Sequence, residues 1–137
     1  MYKKGILNKM EEKAIHKTIK NYIDCLYYNE EDIKKEVKIM GEEETKIFIF
    51  NKYCTFTLFI LEKIDEFIEL YPKLKTQIEL FKFQTMEIYN FNYEIYYLND
   101  DIDIFEYINK LNNKTKILSK IFENILIKGI QKYFKDK

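Results

Sequence analysis

Arginine and tryptophan are absent from this chain, and Ala14, Val37, Pro72, Ser119 and His16 are each the single residue of their kind. Without arginine, every strong cation is a lysine, so no planar guanidinium exists to clamp a phosphate or carboxylate in bidentate fashion. The three glycines, Gly5, Gly41 and Gly129, stand apart from one another and form no phosphate-cradling loop. One histidine, no paired CxxC and no HExxH exclude the usual zinc ligand sets. No serine or cysteine lies at a usable spacing from His16 for nucleophilic catalysis, and none of the sixteen Glu and seven Asp stands out as an acid–base pair. The expectation is a protein with no catalytic residues, no metal site and no cofactor.

The two cysteines, Cys25 and Cys54, occur in a chain whose N-terminal stretch has no apolar signal-peptide core, so they are expected to be buried free thiols in a cytoplasmic protein. The longest largely apolar run, residues 47–61, contains Asn51 and Lys52 and falls short of the roughly 20 residues that cross a bilayer. No membrane partner is expected.

What the chain does hold is isoleucine, lysine, asparagine, tyrosine and phenylalanine, residues with AT-rich codons. Its 137 residues suit one domain, 1–137, large enough to bury a core without disulfides or metals. Net charge is zero but unevenly placed. Residues 1–20 carry six Lys against two Glu, residues 21–113 ten Lys against nineteen acids, and residues 114–137 seven Lys against two acids.

Apolar residues recur at helical spacing in four long seams, which predicts an all-α, compact bundle of five to six helices. Leu7, Met10, Ala14, Ile15, Ile19, Tyr22, Ile23 and Leu26 define the first helix, with Asn8 and Glu11 as a capping box. His16, one turn from Glu12 and from Lys20, reads as a surface ladder residue. Residues 29–32 (NEED) break that helix, and a short segment follows until Gly41.

Residues 43–71 place Ile47, Phe50, Cys54, Leu61, Ile64, Ile68 and Tyr71 on one seam, opposite a polar stripe of Asn51, Thr55, Glu62, Glu66 and Glu69. The same β-branched, aromatic sequence permits an α+β alternative with a hairpin around residues 36–61, and residues 81–98 permit a strand. Pro72 ends the long helix. Leu74, Ile78, Phe81, Ile88 and Ile95 form the next seam, interrupted by Thr85 and Asn92. A short helix with Ile104, Phe105, Ile108 and Leu111 is expected to stop at a turn over 112–114, before a last helix carrying Ile117 to Phe134.

Two surfaces offer function. The tyrosine-rich stretch 88–103 puts Tyr89, Tyr93 and Tyr96 beside the Ile88–Asn92–Ile95 seam, followed by Asp100, Asp101 and Asp103. Tyrosines with adjoining acids suit a protein partner with a basic surface. Asn99, Asp101 and Asp103 also match the first odd positions of a calcium loop, but Ile104 and Lys110 stand where its glycine and glutamate belong, so these acids are expected to cap a helix.

The second surface is lysine on the end helices: Lys9, Lys13, Lys17 and Lys20, then Lys120, Lys128, Lys132 and Lys135. Side by side they would suit phosphates. The expectation is a small helical regulator or inhibitor that binds another protein, of the antitoxin, immunity or anti-defence type from an AT-rich bacterial or phage genome. The alternative is a helical small subunit of a nucleic-acid-binding complex, and an enzyme with an unrecognised site comes third. Self-association as a homodimer stays open.

Overall fold

The computed structural model describes residues 15–99 and 101–126, and these form five α-helices with no strand among them. Helix α1 covers 15–24, α2 Glu30–Met40, α3 Glu42–Leu70, α4 Lys75–Leu98 and α5 Ile104–Asn124, with a 3₁₀ turn at Pro72–Leu74 between α3 and α4. The all-α reading holds. Residues 36–61, apart from the turn at Gly41, and residues 81–98 are helical, so the hairpin and strand alternatives are overturned. Leu7, Met10, Ala14, the Asn8–Glu11 box and Gly129 lie outside the described residues.

Local chemistry sets the boundaries. Asn29 opens α2 by accepting the Glu31 N–H at 2.8 Å, and Glu30, Glu31 and Asp32 fill the first turn, where the helix end is positive. Gly41 then serves two helices. Its N–H donates to the Val37 carbonyl at 2.8 Å, and its own carbonyl accepts the Thr45 N–H at 3.1 Å and hydroxyl at 2.7 Å. The turn needs φ = 89° at Gly41, a left-handed backbone that side chains disfavour. Pro72, with no N–H to donate, starts the 3₁₀ turn that leads into α4.

Three helices carry strict alternating three- and four-residue spacings of buried positions. These are Phe50, Tyr53, Thr57, Ile60, Ile64, Phe67 and Tyr71 in α3 and its cap; Leu74, Ile78, Phe81, Thr85, Ile88, Asn92 and Ile95 in α4 and its start; and Ile104, Ile108, Leu111, Thr115, Leu118, Phe122 and Ile125 in α5. A 3.5-residue repeat keeps a seam facing its neighbour along the whole length of a gently supercoiled bundle.

Contacts fix the directions. His16 meets Tyr71 and Phe67 while Tyr22 meets Phe56 and Phe59, so α1 runs antiparallel to α3. Asn92 meets Phe50, and Phe122 meets both Phe67 and Phe81, so α4 runs against α3 and α5. The short α2 packs on α3 and buries Ile33.

Two expectations fail here. Of the expected α3 seam, Phe50, Ile64 and Tyr71 are buried, but Ile47, Cys54, Leu61 and Ile68 are not; Tyr53, Thr57, Ile60 and Phe67, one residue round from them, complete the inward face, while the expected polar stripe is exposed. A helix apolar on most sides repeats at 3.5 on two adjacent faces, and spacing alone does not choose between them. The turn over 112–114 is absent, and α5 is unbroken. Asn112 is not a turn residue but a buried anchor. Its Nδ2 donates to the Tyr28 carbonyl at 2.8 Å, and its Oδ1 accepts the Tyr28 N–H at 3.1 Å.

Just before it in the chain, the Leu26 carbonyl, left over where α1 ends, accepts the Thr115 hydroxyl at 3.2 Å and the Tyr53 hydroxyl. The loop between α1 and α2 is thus stitched into the core by side chains from α3 and α5. A second polar contact joins α3, α4 and α5: the Tyr107 hydroxyl donates to Asn92 Oδ1, and Asn92 Nδ2 donates to the Phe50 carbonyl at 3.1 Å.

His16 is not a surface ladder residue. It stacks on Tyr71 at 5.5 Å, its Nε2 is buried without a hydrogen-bond partner among the described residues, and burial lowers its pKa from 6.5.

Asn112→Ala strands the N–H and C=O of Tyr28, two partly buried groups, and is expected to lower the unfolding free energy by about 2–4 kcal/mol. Exposed Asn113→Ala should stay within about 0.5 kcal/mol. Urea titration of both variants checks the contrast. A lowered native pKa at His16 means the unfolded chain takes up its proton first as pH falls through 6.5. The stability advantage of wild type over His16→Gln, measured by the same titration, should therefore shrink between about pH 7.5 and about pH 5.5.

Candidate functional site

The seams decide which faces are covered. On α4, the side occupied by Gln84, Glu87 and Phe91 meets α5: Gln84 donates to the Lys114 carbonyl at 3.2 Å, Lys114 pairs with Glu87 at 3.1 Å, and its ammonium lies 4.5 Å from the Phe91 ring centroid. On α3, the side occupied by Lys52, Phe56 and Phe59 meets α1 and the loop after it, with Lys52 over Tyr28 at 4.7 Å. The opposite flanks of α3 and α4 lie beside each other. Asn92 Nδ2 reaches Cys54 Sγ at 3.5 Å, and Phe50 meets Tyr93 at 5.2 Å. Between these flanks runs a groove that no described helix covers.

Its α3 wall is Ile47, Asn51, Cys54, Leu58 and Leu61, and its α4 wall is Met86, Tyr89, Tyr93 and Tyr96. Tyr97 stands on the outer rim, 60% exposed. Tyr93 is 41% and Leu58 44% exposed, and Ile47 and Met86 are also open to solvent. No residue of the two walls is charged, although 34% of the chain is. The charged residues of the same turns point elsewhere, Lys52 toward Tyr28 and Glu87 toward Lys114.

The tyrosines are ordered by their neighbours. Tyr89, Tyr93 and Tyr97 follow at one-turn spacing with ring centroids 5.4 and 5.2 Å apart. Phe50 supports them from below: it stacks on Tyr96 at 4.1 Å and meets Tyr97 edge-on at 5.5 Å. The Tyr93 phenol is held above its ordinary pKa, first by the neighbouring Tyr89. Burial also raises the Cys54 thiol, with the Asn92 hydrogen bond opposing, so Cys54 is a neutral thiol at pH 7. Both cysteines are free, as the sequence implied, but only half-buried rather than buried.

At the Tyr97 end the groove opens into a cleft of about 290 Å³ lined by Glu43, Lys46, Tyr96, Tyr97, Ile102 and Tyr107 among others. The Lys46 side chain is only 9% exposed and lies 3.8 Å from Glu42. A second cleft, about 380 Å³, lies beside α2 between Tyr27, Lys35, Phe48 and Lys52. Among the described residues, no group of His, Cys, Asp or Glu is placed to hold a metal, and no helix is long and apolar enough to cross a membrane.

Of the residues singled out in the sequence, Tyr89, Tyr93 and Tyr96 come together on the groove. Asp101 and Asp103 are exposed nearby, and Asp103 also caps α5 by accepting the Phe105 and Glu106 N–H groups at 3.1 and 3.3 Å. Asp100 lies outside the described residues. Lys17, Lys20 and Lys120 are exposed on α1 and α5, and Lys9, Lys13, Lys128, Lys132 and Lys135 lie outside the described residues. Sequence reasoning missed Leu58, Met86, Tyr97 and the support from Phe50. The signal for them was present, since α3 and α4 each carry a second apolar repeat one residue off the core seam.

Phe50→Ala is expected to destabilise the fold by roughly 3–5 kcal/mol, as buried aromatic truncations do. The double change Tyr93→Ala/Tyr97→Ala should leave the melting temperature nearly unchanged. Thermal denaturation compares the two, and a double tyrosine variant as unstable as Phe50→Ala would place the ladder in the core.

Comparison of the chain with protein-family models, with curated proteins and with solved structures finds no match in any of the three.

Proposed function

We propose that this protein is non-catalytic and acts by binding another protein through the α3–α4 groove, as a regulator or inhibitor. One observation carries the reading: an uncharged, aromatic- and Met-lined groove lies open on a chain that is one-third charged and whose core is filled without it. Interface cores are depleted in charge and enriched in tyrosine and methionine in this way. Tyrosine presents a rigid apolar body with a polar tip, and Phe50 fixes the rings before any partner arrives, which lowers the entropy lost on docking. A scattered exposed aromatic would need no explanation, but a contiguous set on two adjacent helices does.

The nucleic-acid reading keeps one observation in its favour, the exposed Lys17, Lys20 and Lys120 on α1 and α5. It predicts binding that falls steeply with salt, through counterion release.

The two readings separate by photo-crosslinking in the native cell. A photoreactive phenylalanine at position 93 or 58 is expected to give a protein adduct, and the same group at exposed position 116 on α5 is expected to give none. Adducts with nucleic acid at position 116, and no protein adduct at 93 or 58, would reverse the order of the readings.

A further inference from the structure

We infer that the groove takes an amphipathic helix of another protein, apolar on one face and carrying lysine or arginine beside it, and not a second copy of this chain. The inference rests on the proposed protein-binding role of the groove and names its occupant. Three features of the groove carry it.

The first is shape. Two antiparallel helices wall the groove, and its α3 wall from Ile47 to Leu61 spans 15 residues, about 20 Å at the helical rise. That is the length of about four turns of a docked helix, which would present anchors at i, i+3, i+4 and i+7.

The second is charge at the ends. Beside Ile47 the exposed groups are Glu42, Glu43, Glu44 and Asp101, and beyond Leu61 they are Glu62 and Asp65, with the half-buried Glu79 across from them on α4. Of the lysines near the groove, Lys46 is buried beside Glu42 and Lys75 lies 3.9 Å from Glu79, while Lys82 is half-buried one turn before Met86. An occupant with cations flanking its apolar face meets acids at both ends. The cleft at the Tyr97 end adds a place for one such side chain, whose stem would lie along Tyr96 and Tyr97 with its charge toward Glu43.

The third is what the charge excludes. A second copy docked groove to groove brings Glu42–Glu44 of one chain against either the same end or the Glu62–Asp65 end of the other. Both two-fold arrangements place acid on acid, which disfavours the pair.

The test uses two synthetic helical peptides of about 15 residues with the same leucine stripe, one with lysine and one with glutamate on the polar face. Calorimetric titration into the full chain is expected to show the lysine peptide binding at least about tenfold tighter, with the preference narrowing as salt rises. Leu58→Asn/Tyr93→Asn, both exposed positions, should weaken that binding at least about tenfold while the circular dichroism spectrum is unchanged. Sedimentation should find the chain monomeric. Equal or tighter binding of the glutamate peptide, binding of neither peptide, or a dimer abolished by Leu58→Asn/Tyr93→Asn each overturns the inference. A protein adduct at position 93 would survive any of these results, so the failure of this inference and the failure of the binding role are separately visible.

Discussion

The fold depends on a solved problem at the end of α1. The chain leaves that helix inside the bundle, and the Leu26 carbonyl and both main-chain groups of Tyr28 are left in a place where water is scarce. Asn112 answers the two groups of Tyr28, and Tyr53 and Thr115 answer Leu26. A hydrogen bond of this kind adds little net stability, but its absence leaves a desolvated polar group that costs about 1–3 kcal/mol. The clamp therefore acts as a constraint on register. Only one rotation of α5 about its axis and one height of α3 bring Asn112, Thr115 and Tyr53 to the same loop.

That constraint explains why the inward seams contain polar residues. Thr57, Thr85 and Thr115 bond back to carbonyls one turn earlier, Asn92 bonds across to α3 and Tyr107, and each occupies a 3.5-repeat position where an aliphatic side chain would fit. A buried polar position in such a repeat fixes which face turns inward. With α3 held by Tyr53 and α4 by Asn92, the second repeat of Cys54, Leu58 and Leu61 is turned outward. The open groove is a consequence of the same contacts that order the core.

The parts of this arrangement that were legible in the sequence were those written in apolar spacing. The seams of α1, α4 and the second half of α5 could be read from Ile15 to Leu26, Leu74 to Ile95 and Leu118 to Ile125, and Pro72 and Gly41 marked real boundaries. The capping role expected of the acids around residue 101 belongs to Asp103. The α3 face was not legible, because hydrophobicity favours Cys54 and Leu61 over Tyr53 and Thr57, while partners distant in sequence decide the matter. Asn112 misled for the same reason. An Asn-Asn-Lys stretch reads as a turn by local propensity, and only the loop it meets, 84 residues earlier, makes it a helix interior. On the candidate site, Tyr89, Tyr93 and Tyr96 were found because aromatics are visible in sequence. Leu58 and Met86 were not, because exposure of an aliphatic residue is a property of the packed molecule.

The central claim is that the buried clamp and the core stand independently of the groove. Native-state amide exchange at Tyr28 in a variant with Leu58, Met86, Tyr93 and Tyr97 all changed to Gln tests it most directly. The account predicts that the Tyr28 amide exchanges only through global unfolding, and that its protection in the variant matches wild type. A Tyr28 amide that exchanges as fast as an exposed loop amide, or whose protection collapses when the groove is made polar, would contradict it.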